Sequence, residues 1–377
     1  MNTLHSIIIK PIGSFCNLNC KYCFYLDKQY LYAGSPSTHK MDEPTLDKLI
    51  QQLFKCSNHP TFVWQGGEPT VMGLDFFRHA VALQKHYAKG RTFFNALQTH
   101  AMLLNEDWAD FLKRENFLVG VSLDGPQHVH DYYRLDRQDR GTFHAVFENA
   151  KMLVQQEVPV NVLATITNYS VQYPEEIYQF FTNNGFIFMQ FSPVVEPDLQ
   201  HPHQAAPFSV TAKQYGHFLT KVFKCWHQDF DYRYLKQKTS VRFFDSLMHR
   251  YVGMVPDHCA LQQKCNVYLV VEHNGDLFSC DFLVSAETYL GNLHEISLQQ
   301  AFNSPAHIAF GLRKANYGEK CQRCQWLKLC YGGCIKDRLH DPRDHGHNHF
   351  CESYQYFFER VDGQFKELAD LYRRYYR

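Results

Sequence analysis

The placement of the cysteines constrains this chain more than any other feature of its sequence. Thirteen cysteines occur in 377 residues, and eleven of them fall into two groups. The first group lies within eight residues and consists of Cys16, Cys20 and Cys23. The second group lies after residue 257 and consists of Cys259, Cys265, Cys280, Cys321, Cys324, Cys330, Cys334 and Cys351. In a long chain without a secretory signal, such grouping predicts metal binding or redox chemistry rather than a disulfide framework. The two isolated cysteines, Cys56 and Cys225, are predicted to be core thiols.

Composition and charge exclude several classes of protein. Lys+Arg and Asp+Glu both number 38, so the chain lacks the basic surface of a protein that binds nucleic acid. No run of about 18 apolar residues predicts a membrane-spanning helix. The first six residues lack the charged and apolar regions of a secretory signal, so we expect a cytoplasmic protein with neither a nucleic-acid nor a membrane partner.

The first half of the chain alternates between strand and helix patterns, which predicts an α/β fold. Six strands that alternate with helices favour a parallel sheet with right-handed crossovers, open or partly closed into a barrel. In such sheets the chemistry lies at the C-terminal ends of the strands. The predicted strands span residues 6–11, 61–65, 92–98, 117–123, 160–165 and 186–191. The predicted helices span residues 43–56, 74–88, 106–114, 142–156 and 174–184.

The pattern changes after residue 193 and again near residue 257. A loop rich in proline and histidine is followed by helical segments, and then by the region dense in cysteines. That region contains one hairpin signal, with Asn274-Gly275 at the turn, and the chain closes on an aromatic amphipathic helix from residue 355. We therefore predict a core domain over 1–235, a helical linker over 236–256 and a cysteine-rich domain over 257–377.

The first cysteine group follows directly on the first predicted strand. Three thiolates on one short loop can hold three corners of a [4Fe–4S] cluster, which leaves the fourth iron open for a small molecule. A structural zinc ion would normally take four protein ligands. Zinc binding, or thiols with a purely structural role, is the alternative interpretation of this loop.

The Cys16-x3-Cys20-x2-Cys23 spacing, with Tyr22 beside the last cysteine, resembles the radical S-adenosylmethionine (radical SAM) superfamily. The resemblance implies a partial (β/α)6 TIM-like barrel whose open iron chelates the methionine portion of S-adenosylmethionine. It also implies that one electron from the cluster cleaves the sulfonium to give a 5′-deoxyadenosyl radical.

Two further segments carry the same resemblance. Gly66-Gly67-Glu68-Pro69 looks like the family's GGEP segment, in which backbone and carboxylate meet the ammonium of the cofactor. Ser122, at the end of the fourth strand, and Arg134 are the other implied cofactor contacts. A tight glycine turn and a solvated arginine are the plain alternatives. The chain departs from the family after the third strand, where it has Gln98-Thr99-His100-Ala101 in place of Gln-Thr-Asn-Gly.

The second cysteine group resembles the SPASM domain that follows the core of many peptide-modifying radical enzymes. Eight cysteines are the number that two fully ligated four-iron clusters require. The resemblance implies that one auxiliary cluster is ligated by Cys259, Cys265, Cys280 and Cys334. It implies that the other is ligated by Cys321, Cys324, Cys330 and Cys351. Paired zinc ribbons are the alternative, because Cys-x2-Cys pairs also suit zinc.

Among the radical SAM enzymes that carry a SPASM domain, the chain is most similar in its motifs to anaerobic sulfatase-maturating enzymes. The similar segments are 271–282, 290–293, 332–338 and Cys23-Phe24-Tyr25. The resemblance implies that the aspartate after the hairpin cysteine, Asp281, is the catalytic base and that Tyr25 lies near the peptide substrate. The implied activity is oxidation of a Cys or Ser residue, within a Cys/Ser-x-Pro/Ala-x-Arg motif of an unfolded sulfatase, to Cα-formylglycine. A flavodoxin- or ferredoxin-type protein is the expected electron donor.

The proposed reaction itself calls for such a carboxylate. Oxidation of the side chain to an aldehyde removes a hydrogen atom from Cβ and a proton from sulfur or oxygen, and a positioned carboxylate can accept that proton. Two alternatives stay open from the sequence: a SPASM enzyme that forms thioether or carbon–carbon crosslinks in a ribosomal peptide, and a non-catalytic zinc scaffold. The His-rich segment 340–349 is interpreted as a solvated insertion, with metal binding as its alternative.

Overall fold

The computed structural model describes residues 2–234, 236–341 and 346–375. The chain forms two compact units, and each unit is assembled from separate stretches of sequence. The first unit comprises residues 1–122, 134–160 and 266–312. The second comprises residues 123–133, 161–265 and 313–377. The domain boundaries proposed from the sequence stay predictions.

The predicted alternation of strands and helices is confirmed. The strands are β1 (Ser6–Lys10), β2 (Thr61–Trp64), β3 (Phe94–Thr99), β4 (Phe117–Ser122), β5 (Val160–Ile166), β6 (Phe188–Pro193), β7 (Phe230–Asp231), β8 (Lys236–Gln237), β9 (Ser240–Val241), β10 (Leu269–Glu272), β11 (Asp276–Phe278) and β12 (Tyr289–Asn292). The helices are α1 (Glu43–Cys56), α2 (Leu74–Ala88), α3 (Glu106–Arg114), α4 (Gln127–His130), α5 (Phe143–Gln155), α6 (Pro174–Asn183), α7 (Ala212–Gln228), α8 (Arg242–Tyr251), α9 (Leu298–Phe302), α10 (Pro305–Arg313), α11 (Glu319–Gln322), α12 (Leu327–Cys330), α13 (Lys336–Leu339) and α14 (Cys351–Tyr375). Short 3₁₀ turns lie between several of these elements.

The first unit is built on a sheet in which β10, β1, β2, β3 and β4 are parallel neighbours. Strands β11 and β12 extend this sheet through antiparallel pairing beyond β10. Strand β1 lies between β10 and β2, with Ile7, Ile9 and Lys10 at most 1% exposed and Ile8 partly buried. Such burial explains its run of isoleucines, because a central strand of a parallel sheet is largely covered on both faces and needs apolar side chains. The pairing of β10 with β1 brings the hairpin of the cysteine-rich region beside the first strand.

Helix α1 shows how sequence fixes an element of this unit. The side chain of Asp42 accepts a hydrogen bond from the Thr45 N–H at 2.9 Å, which satisfies one of the open donors at the helix start. The predicted apolar face is buried, and each of its large side chains contributes about 1.5–3 kcal/mol through burial. That face consists of Leu46, Leu49, Ile50 and Leu53.

The second unit contains the parallel strands β5, β6 and β9 and a pair of long helices, α7 and α14. A capping box formed by Thr211 and Gln214 starts α7. The two helices approach closely at Gly216, where an added Cβ would lie 3.1 Å from the Cα of Ser353. Helix α14 begins at Cys351, four residues before the predicted start, so the last cysteine lies at its N-terminus.

Cys56 and Cys225 are only partly buried, so the prediction of core thiols is wrong in degree, although burial raises the pKa of Cys56 to about 11. In the part of the chain that the structure describes, no helix is long and apolar enough to cross a membrane.

Candidate active site and cysteine centres

The loop after β1 carries the first three cysteines, all partly exposed. The backbone N–H of Leu18 donates to Sγ of Cys16 at 3.3 Å, and the Arg137 guanidinium donates to the Cys16 carbonyl oxygen at 3.1 Å. Burial raises the pKa of the Cys16 thiol well above its usual range, and the nearby Glu68 carboxylate raises it further. An N–H donor to sulfur stabilises a thiolate, so this loop fits the cluster predicted for it. Binding of the cluster would release the thiol protons.

The glycine segment after β2 packs its backbone directly against the cysteine loop. A Cβ added at Gly67 would lie 2.0 Å from the carbonyl oxygen of Phe15, a distance that no side chain can occupy. The Gly67 N–H donates to the Gly13 carbonyl oxygen at 2.8 Å, and the Glu68 N–H donates to that of Phe15 at 2.9 Å. The glycine is therefore required for backbone contact, and this contact fixes the loop that carries Cys16.

The side chain of Glu68 is 1% exposed and is held by donors of the protein itself. Its Oε1 accepts from the Thr70 N–H at 3.0 Å, the Thr70 hydroxyl at 2.6 Å and the Thr99 hydroxyl at 2.8 Å. Its Oε2 accepts from the His100 N–H at 2.9 Å. The carboxylate thus links the ends of β2 and β3. The predicted contact of Glu68 with the cofactor stays a prediction.

His100, which replaces the family's asparagine, ties the end of β3 to the cysteine loop. Its Nδ1 accepts a hydrogen bond from the Met102 N–H at 3.0 Å, so the proton of the neutral ring is on Nε2. That Nε2 lies 2.8 Å from Oδ1 of Asn17 and 3.2 Å from Oε2 of Glu68. Burial lowers the pKa of His100 below its usual value, which agrees with a neutral ring. From the sequence alone, His100 is recognisable only as a departure from the family's asparagine.

The two other predicted cofactor contacts lie in the same unit. The Ser122 hydroxyl, at the end of β4, accepts a hydrogen bond from the Gln98 amide at 2.9 Å. Arg134 is 8% exposed, and its guanidinium carbon lies 5.4 Å from the centre of the Tyr22 ring. The alternative of a solvated arginine therefore does not hold. A buried cation stacked beside the cysteine loop suits an anionic ligand group.

Asp281 lies just after β11 and forms a buried ion pair with Lys10, the last residue of β1. Asp281 is 7% exposed and Lys10 is 1% exposed. The Lys10 ammonium also lies 4.3 Å from the centre of the Tyr25 ring. The Tyr25 hydroxyl donates to Oε1 of Glu272, the last residue of β10. The predicted base and the predicted substrate-side tyrosine are thus brought together by a lysine that the sequence analysis missed.

A lysine that directly follows three isoleucines in a strand was the available signal for this network. A lysine in such a place is rarely buried unless it has a partner, so it could have been paired with a carboxylate on a neighbouring strand end. The partner could not be chosen from the sequence, because the pairing of β10 with β1 joins residues about 260 positions apart.

In the second unit, four cysteines line one cavity. They are the predicted ligands Cys321, Cys324, Cys330 and Cys351. The Gln355 amide donates to Sγ of Cys324 at 3.7 Å. The Trp326 indole N–H lines the same cavity and has no hydrogen-bond partner among the described residues. A cysteine-lined cavity with one spare N–H donor fits an iron–sulfur cluster, whose sulfurs accept such bonds.

Three of the four remaining cysteines also lie in the second unit, near one buried lysine. Burial lowers the pKa of Lys314, whereas Cys265, Cys259 and Cys334 raise it. Burial raises the pKa of Cys265 to about 11. The fourth predicted ligand, Cys280, belongs to the first unit, where its Sγ lies 3.8 Å from the Tyr268 hydroxyl.

The cysteines are not joined to one another, and they are not arranged around a single ion. No two of the thirteen, all of which the structure describes, form a disulfide bond. Over residues 2–234, 236–341 and 346–375, no group of three His, Cys, Asp or Glu side chains is placed to hold one metal ion. Part of the His-rich segment, residues 342–345, lies outside the described residues. His340 pairs with Glu196 at 2.6 Å. Nε2 of His349 donates to the Val210 carbonyl oxygen at 3.0 Å, and its Nδ1 lies 3.4 Å from Oδ1 of Asp341.

Comparison with known proteins agrees with this geometry. Residues 11–181 match the radical SAM superfamily, and residues 259–325 match SPASM, an iron–sulfur cluster-binding domain. The chain is 36% identical to a cysteine-type anaerobic sulfatase-maturating enzyme of Clostridium novyi, over 94% of each chain. It is 34% identical to a serine-type anaerobic sulfatase-maturating enzyme of Bacteroides thetaiotaomicron, over 94% of this chain and 89% of that protein.

A solved structure matches along nearly the whole chain. It is native anSMEcpe with bound AdoMet and a Cp18Cys peptide, at a TM-score of 0.88 and 32% identity, over 97% of this chain and 98% of that one. The matches confirm the predicted fold class, a radical SAM α/β domain with a SPASM domain, and the predicted cofactors, iron–sulfur clusters and S-adenosylmethionine. They favour an enzyme over the zinc scaffold. The chain is a radical SAM oxidoreductase and belongs to the family of anaerobic sulfatase-maturating enzymes.

Proposed function

We propose that this enzyme converts a cysteine or serine residue, within a Cys/Ser-x-Pro/Ala-x-Arg motif of an unfolded sulfatase, into Cα-formylglycine. The observation that carries the proposal is the buried pair of Asp281 and Lys10 in the unit that also holds the three-cysteine loop. The family gives the reaction class, and this pair gives the chain a fixed carboxylate that can accept a proton.

For a cysteine substrate, the proposed reaction is a two-electron oxidation of the side chain. The Cβ carbon loses a hydrogen atom, the thiol loses a proton, and one electron leaves the substrate. The resulting thioaldehyde reacts with water to give the aldehyde and hydrogen sulfide; a serine substrate gives the aldehyde directly. When bound, the clusters and S-adenosylmethionine supply the 5′-deoxyadenosyl radical that takes the hydrogen atom and an acceptor for the electron. Asp281 takes the proton.

The residues of this chain have distinct proposed roles. Cys16, Cys20 and Cys23 hold the reactive cluster. Gly66, Gly67, Glu68, Ser122, Arg134 and Tyr22 form the cofactor site, and the hydrogen bonds of Glu68 to Thr99 and His100 support a role in fixing its shape. Lys10 orients Asp281. Tyr25 is 2% exposed, and its hydroxyl donates a hydrogen bond to Glu272. Its proposed role is therefore to support the residues around the peptide rather than to contact the peptide directly.

The radical chemistry also needs an external electron. We propose a flavodoxin- or ferredoxin-type protein as the donor, because formation of the radical consumes one electron at low potential. The proposal includes both cysteine and serine as the substrate residue, since a cysteine-type and a serine-type relative are 36% and 34% identical to this chain. A cytoplasmic location stays a prediction.

The test is an anaerobic assay with reconstituted enzyme, S-adenosylmethionine, a strong reductant and paired peptides that carry Cys or Ser in the motif. We expect mass spectrometry to find an aldehyde-bearing peptide together with one 5′-deoxyadenosine per product. Asp281→Asn should abolish the aldehyde, whereas Glu287→Gln, an exposed acidic residue of the same segment, should not.

Other outcomes would change the proposal in defined ways. Deoxyadenosine formed while both peptides stay unchanged would refute the sulfatase substrate and favour crosslinking of a ribosomal peptide. Full activity of Asp281→Asn would remove that residue from the role of base.

A further inference from the structure

Lys314 is fully buried, at 0% exposure, and lies just after α10 in the second unit. Its Nζ donates to the carbonyl oxygens of Cys259 and Ala260, both at 2.8 Å, and to that of Gln262. A neutral lysine amine has two N–H donors, whereas the ammonium has three. Three carbonyl acceptors therefore require the charged form.

This charge has no partner of the usual kind. Within the described residues, no carboxylate forms an ion pair with Lys314, although a buried ammonium normally has one. Cys259, Cys265 and Cys334 are the groups near it that become negative when they bind a metal centre. The carbonyl oxygens solvate this cation, and the three cysteines supply its counter-charge when they carry negative charge.

The position of Lys314 is itself fixed. The guanidinium of Arg338 donates to the carbonyl oxygens of Lys314 at 2.9 Å and of Asn316 at 3.2 Å. Arg338 therefore holds the main chain from which the lysine side chain extends. The ammonium in turn holds the turn over residues 259–262 that presents Cys259.

We infer that Lys314 is the counter-charge of the auxiliary cluster ligated in part by Cys259, Cys265 and Cys334, and that it makes this cluster easier to reduce. The inference rests on the ligand roles that the resemblance to the SPASM domain implies for these three cysteines. Reduction adds a negative charge to a centre that is already negative, and a fixed positive charge at low dielectric favours the reduced form. Lys314 is a positioning residue, because it contacts the turn that presents a ligand and not the substrate.

The test compares three variants of the reconstituted full chain in a background where Cys16, Cys20 and Cys23 are alanine, so that only the auxiliary clusters remain. Lys314→Gln removes the buried charge, and Lys314→Arg keeps it. Lys264→Gln is the matched control, since it removes an exposed lysine directly beside Cys265. The readouts are iron and sulfide content and the midpoint potentials from a redox titration followed by electron paramagnetic resonance.

We expect Lys314→Gln to keep its iron and to shift one midpoint potential to a more negative value, while the other two variants match the parent protein. An unchanged potential in Lys314→Gln with full iron content would overturn the inference, as would an equal shift in Lys264→Gln.

If Lys314→Gln loses a cluster, Lys314→Arg shows whether the lost charge or the lost packing is the cause. Recovery of iron and of the parent potential supports the counter-charge, whereas loss in both variants assigns Lys314 a packing role and overturns it. The titration uses no peptide, so its result is independent of the sulfatase assay.

Discussion

The buried pair of Lys10 and Asp281 predicts that removal of either charge alone is costly, whether or not Asp281 is a base. With the two residues at 1% and 7% exposure, Asp281→Asn leaves an uncompensated ammonium and should lower the free energy of unfolding by about 3–5 kcal/mol. Lys10→Met leaves an uncompensated carboxylate and should cost a similar amount. Loss of activity in Asp281→Asn is therefore ambiguous by itself.

The double variant Lys10→Met/Asp281→Asn separates stability from catalysis. It removes both charges together, so neither an ammonium nor a carboxylate is left buried without its partner. We expect it to be more stable than either single variant, with a coupling free energy of about 3 kcal/mol or more. It should still form no aldehyde, because no carboxylate is left to accept the proton.

The assay combines urea unfolding of each reconstituted variant under anaerobic conditions with mass spectrometry of the peptide and of 5′-deoxyadenosine. Deoxyadenosine without aldehyde is the expected signature of a missing base. Aldehyde formation by the double variant would refute the role of Asp281, and additive losses of stability would refute the ion pair.

Three further predictions follow from packing and from one perturbed carboxyl group. Gly67→Ala places a Cβ 2.0 Å from the Phe15 carbonyl oxygen and should abolish assembly of the first cluster, measured as about one third less iron. Gly363→Ala, in helix α14 with no atom within 4 Å of the added Cβ, should instead stabilise the protein by about 0.5–1 kcal/mol in urea unfolding. Burial, together with the charge of Asp257, raises the pKa of Asp245 from 3.8 to about 6. The folded state therefore favours the protonated form, and the contribution of Asp245 to the free energy of unfolding is lost as pH rises through 6. Asp245→Asn should therefore stabilise the protein by up to about 3 kcal/mol at pH 8, and this gain should be about 1 kcal/mol smaller at pH 5.5. An equal gain at both pH values would contradict the assignment.

Local sequence patterns were enough to predict the secondary-structure elements and the class of chemistry. Segments rich in Val, Ile, Phe and Thr predicted the strands of the first half, and the helical spacing of apolar residues predicted its helices. The Cys16-x3-Cys20-x2-Cys23 spacing predicted a cluster loop, since three ligands on one short loop need no knowledge of the rest of the fold. The family followed from these motifs.

The tertiary structure alone decided which distant residues meet. The parallel pairing of β10 with β1 places Asp281 against Lys10, and no local pattern encodes a pairing across about 260 residues. The same holds for His100, whose bonds to Asn17 and Glu68 depend on where two separate loops cross. Lys314 is a single lysine among 38 basic residues in the sequence, and only burial and three carbonyl acceptors distinguish it. Local patterns fix secondary structure, whereas buried charge pairs are fixed by contacts that only the folded chain creates.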